Sequence, residues 1–99
     1  MVELPPDIIE RLRTDFGERD VELRAADLIA AHSSDRIRRC IVVVANGNWK
    51  RFDEMCTLAA IDWRDVITAA EYDRHDRRLF DFNQPIPDAA VSNDDAGTS

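Results

Sequence analysis

Lysine is almost missing from this chain: Lys50 stands alone against twelve arginines. The imbalance fits planar, bidentate pairing with carboxylates, and equally a compositional bias of the source genome. Three glycines, Gly17, Gly47 and Gly97, are too few and too scattered to cradle a phosphate. Two cysteines, Cys40 and Cys56, are too few for a disulfide framework and lack the short spacing of a redox or zinc motif, so reduced thiols are expected. The two histidines, His32 and His75, have no nucleophile placed with them by any motif, and no enzymatic activity is expected. Basic charge is in deficit, with 13 Lys and Arg against 20 Asp and Glu and a formal net charge of -7. That balance favours solubility and disfavours unaided attraction to nucleic acid or anionic lipid. The opening Met-Val-Glu-Leu-Pro-Pro has neither a basic nor an apolar leader region, and no apolar run approaches the roughly 18 residues of a membrane span. A soluble cytoplasmic protein is the expectation, with no membrane partner.

What is present is helical periodicity. A chain of 99 residues supports one domain, burying about 60–65% of its unfolded surface. Pro5 and Pro6 can open a helix along which Ile8, Ile9, Leu12 and Phe16 recur at helical spacing, until Gly17 stops it. Asp20 can cap a second helix with Val21, Ala25, Leu28 and Ile29 on its apolar face and His32 in its last turn. Ser34 can cap a third that runs to about Ala45. Its segment Ile41-Val-Val-Val could also be a short buried strand, but no partner strand with two-residue alternation flanks it, so helix is preferred. Such a helix should be central and buried along its second half.

Asn46-Gly47-Asn48 supplies a left-handed stop and the next cap, and Trp49, Phe52, Met55, Cys56 and Ala59 continue at helical spacing. Counting outward from Asn48, an antiparallel hairpin sets Val44 against Phe52, Ile41 against Met55, Cys40 against Cys56 and Ile37 against Ala59. Buried free thiols are favoured for the cysteine pair, though a disulfide is geometrically conceivable. Asp62, with Asp65 three residues on, reads as a short-armed capping box for a fifth helix bearing Trp63, Val66, Ile67 and Ala70 on one face. Leu79, Phe80, Phe82 and Ile86 read as an irregular segment docking back on the bundle, and residues 87–99 as a disordered acidic tail. The fold class is therefore all-α: a compact, bundle-like single domain of five helices over residues 1–86.

Residues 36–51 invert the chain's charge, with Arg36, Arg38, Arg39, Lys50 and Arg51 and no acid among them. Both clusters fall in first turns of helices, where positive charge opposes the macrodipole by a few tenths of a kcal/mol, so something else must compensate. Pairing with the protein's own acids is the favoured reading, and recognition of an acidic partner the second. Together with Trp49 these five residues are the candidate partner-binding set. A helix, a Gly-containing turn and a second helix also outline a helix-turn-helix, but Asp53 and Glu54 follow Lys50 and Arg51 where a groove-reading helix would meet phosphates, so nucleic acid is the weaker alternative. Glu71, Asp73, His75 and Asp76 are the best metal-ligand material, in a weak pattern for which a solvated helix end is the bland account. No cofactor is expected. Trp49 and Trp63, each at the head of a helix, read as core lids in preference to interface anchors. The expected function is a non-enzymatic interaction or regulatory module that binds a protein partner or itself.

Overall fold

The computed structural model describes residues 4–73, 75 and 77–87. Five helices follow in order: α1 (Pro6–Phe16), α2 (Val21–Ala31), α3 (Asp35–Ala45), α4 (Trp49–Ile61) and α5 (Trp63–Glu71). Among the described residues the only β-type pairing is one isolated bridge between Tyr72 and Arg78. The all-α single domain is as expected, and the Ile41-Val-Val-Val segment is helix.

Local chemistry sets the boundaries. Pro6 occupies the first turn of α1, where its missing N–H costs nothing, and Gly17 ends the helix at φ 86° while donating its N–H to the Arg13 carbonyl. The Ser34 side chain accepts from the Ile37 N–H, and the Asn48 side chain from the Arg51 N–H. Asn46 and Gly47 both adopt positive φ, 45° and 84°, which turns the chain tightly from α3 into α4. Two expectations need correction. Asp20 precedes α2 in a helical backbone conformation and makes no side-chain cap bond, because a cap needs an extended residue to aim its carboxylate back along the axis. Asp62 accepts from the Arg64 N–H, one residue earlier than a capping box requires.

Helix α3 is the axis of the molecule. It packs against all four other helices, and every residue from Ile37 to Ala45 is buried, so burial covers nearly the whole helix rather than its second half alone. Ile8 and Leu12 of α1, Leu28 of α2, Phe52 and Ala59 of α4, and Val66 of α5 close around it. Phe16 meets Phe52 edge to face at 5.4 Å, and the Arg24 guanidinium lies over both rings. After α5 the chain turns back. Leu79 and Phe80 both donate their N–H groups to the Glu71 carbonyl, satisfying the end of α5, and Phe82 enters the core with no exposed surface. Of the expected tail only Pro87 is described, and it is exposed; residues 88–99 lie outside the described residues.

The two cysteines are free and look in different directions. The Cys40 thiol reaches the Glu71 carboxylate at 3.9 Å, while Cys56 sits beside Asp27, Asp53 and Arg24. Equal height on a hairpin does not make two side chains converge, because each points along its own helix face.

Candidate functional site

The compensation that the arginines of these clusters require comes from the preceding helix ends, from the buried Glu71 and from the half-buried Asp7. Arg38 donates from Nε to the His32 carbonyl at 2.7 Å and from Nη2 to the Ile29 carbonyl at 3.4 Å. It therefore satisfies the C-terminus of α2 although it belongs to the N-terminus of α3. Arg51 does the same one helix later, its Nε donating to the Val44 carbonyl near the end of α3 at 3.2 Å. A cation that is misplaced for its own helix dipole is correctly placed for its neighbour's.

Arg36 and Arg39 are three residues apart and share a face of α3. Arg39 grips Asp7 of α1 with two bonds, 2.9 and 3.2 Å, and donates a third from Nη1 to the Phe82 carbonyl at 3.1 Å. Arg36 grips Glu71 with two bonds of 2.8 Å. Glu71 has 0% exposure and also accepts from Arg78 Nη2 at 2.9 Å and from the Phe82 N–H at 3.2 Å. Burial alone would raise the Glu71 carboxyl, but its bonds from Arg36, the Phe82 N–H and Arg78 outweigh that and hold it below its ordinary value. Asp7 follows the same pattern: burial raises it, while Arg39 and the Ile86 N–H bring it lower overall. No buried side-chain nitrogen or oxygen among the described residues lacks a partner.

The candidate partner-binding residues thus separate. Arg38 and Arg39 are 4% and 8% exposed, and with Arg36 they direct their guanidinium groups into the protein, as the internal-pairing reading expects. Arg51 is half-buried, with the Val44 carbonyl as one partner. Trp49, 63% exposed, and Lys50 stand on the solvent side of α4. At the other end of α4 Ile61 is 78% exposed, and two residues on Trp63 is 43% exposed with the Arg64 guanidinium 5.3 Å over its ring. Both tryptophans therefore offer apolar surface to solvent, and neither belongs to the buried core.

Among the metal-ligand candidates Glu71, Asp73, His75 and Asp76, Glu71 and His75 share a helix face only if α5 extends that far. The helix ends at Glu71, and both carboxylate oxygens are committed to donors within the protein. Asp76 lies outside the described residues, and no group of three potential ligands occurs among those described. The thiols are poor nucleophiles: burial, reinforced by Glu71, pushes Cys40 up to about 12, and burial with Asp27 and Asp53 pushes Cys56 up to about 12.

Sequence reasoning missed the partnership of Asp7, Glu71 and Phe82 with the basic cluster. A signal for Glu71 was present, since it follows Ile67 by four residues and so continues the apolar side of α5. Comparison with known families, curated proteins and solved structures yields no match.

Proposed function

We propose that this protein is a non-enzymatic interaction module of the cytoplasm that binds a protein partner through the outward side of α4 and its corner with α5. One observation carries the reading: Trp49 is 63% exposed at the head of α4, beside Lys50, while the arginines of the Arg36 cluster are consumed internally. An exposed indole gains from burial at an interface through both area and ring geometry, which is why Trp recurs at interface hot spots. Ile61 and Trp63 extend the apolar surface at the far end of the helix, and Lys50, Asp53 and Glu54 between them supply the polar rim that sets orientation. The saturated Glu71 and the high thiol values also favour binding over catalysis.

The helix-turn-helix alternative gains little from the fold. The outward side of α4 carries Asp53 and Glu54, and Arg36, Arg38 and Arg39 of the preceding helix are engaged within the protein.

The test compares proteins captured from host lysate by the wild-type chain and by a Trp49→Ala/Lys50→Glu variant whose melting curve is unchanged. Selective loss of captured proteins supports the reading. An identical set for both chains overturns it.

A further inference from the structure

We draw no further inference here: the strongest candidate, the exposed apolar patch of Ile61 and Trp63 at the corner between α4 and α5, belongs to the surface already described, is bordered by charges of both signs in Asp62, Arg64 and Asp65, and nothing in the structure shows what covers it.

Discussion

Replacing Glu71 by Gln keeps the shape of the side chain and removes the charge that organises one end of the molecule. The wild-type carboxylate has 0% exposure and accepts two bonds from Arg36, one from Arg78 and one from the Phe82 N–H. The Gln amide turns one acceptor into a donor that must face a guanidinium, so at least one bond becomes a donor-donor clash. Removing one member of a fully buried ion pair typically costs about 3–5 kcal/mol. Here the Arg36 and Arg78 side chains retain 29% and 43% exposure and can recover hydration, which reduces the expected loss to about 2–3 kcal/mol. For a chain of this size each kcal/mol moves the melting temperature by about 4–8 °C, so a drop of roughly 8–24 °C is expected. Thermal melts followed by circular dichroism measure it, and amide exchange at Phe82 should lose its protection in the same variant. A Glu71→Gln melting temperature within about 2 °C of wild type would refute the assignment of Glu71 as a principal fastener, since a surface substitution gives no more than that.

Acid should weaken the fold through the same carboxylates. Asp7 and Glu71 lie below their ordinary values of 3.8 and 4.5, so their contribution is fully present above those values and is lost as the pH falls through the lowered, folded ones. Asp15, which burial raises despite its bonds to Arg11, acts in the opposite sense, its contribution being lost as the pH rises through its raised value. Asp73 and Asp81 are lowered as well, so the lowered carboxylates outnumber the raised one, and the urea midpoint should fall between about pH 6 and about pH 3, less steeply in Glu71→Gln; an unchanged slope would exclude Glu71 as a contributor. With both thiols pushed up to about 12, a maleimide or disulfide reagent at neutral pH should label the native protein slowly, Cys56 before the fully buried Cys40, and fast labelling of Cys40 would contradict its burial. Gly47→Ala should cost about 1–2 kcal/mol, because Gly47 sits at φ 84° and an added Cβ would lie 3.4 Å from the Asp15 carbonyl. A wild-type urea midpoint in that variant would show that the α3–α4 turn tolerates a different backbone conformation.

The five helices were legible because their signals are local. Pro6, Gly17, Ser34, Asn46, Asn48 and Asp62 punctuate apolar spacings that a reader can follow along the chain, and each stands at or next to an observed helix boundary. Asp20 shows where that logic ends, since a residue of the right type does not cap when its backbone is already helical. The site was less legible, because its decisive contacts span great sequence distances: Arg39 finds Asp7 from 32 residues away, Arg36 finds Glu71 from 35, and Ile86 finds Asp7 from 79. Periodicity assigns a residue to a face but does not say which face it meets. The misplaced arginines at two helix N-termini were a readable anomaly, and their resolution by the preceding helix ends and by Asp7 and Glu71 needed three dimensions. Trp49 and Trp63, read from the sequence as core lids in preference to interface anchors, are instead exposed, because both stand on the solvent side of their helices.

The central claim is that the basic cluster at the start of α3 fastens the protein to itself. A double-mutant cycle between Arg39 and Asp7, using Arg39→Met, Asp7→Ala and their combination in urea unfolding, tests it most directly. The expected coupling energy is at least about 1 kcal/mol, within the range found for residues of one hydrogen-bonded network. Strictly additive losses, with no coupling between the two positions, would contradict it.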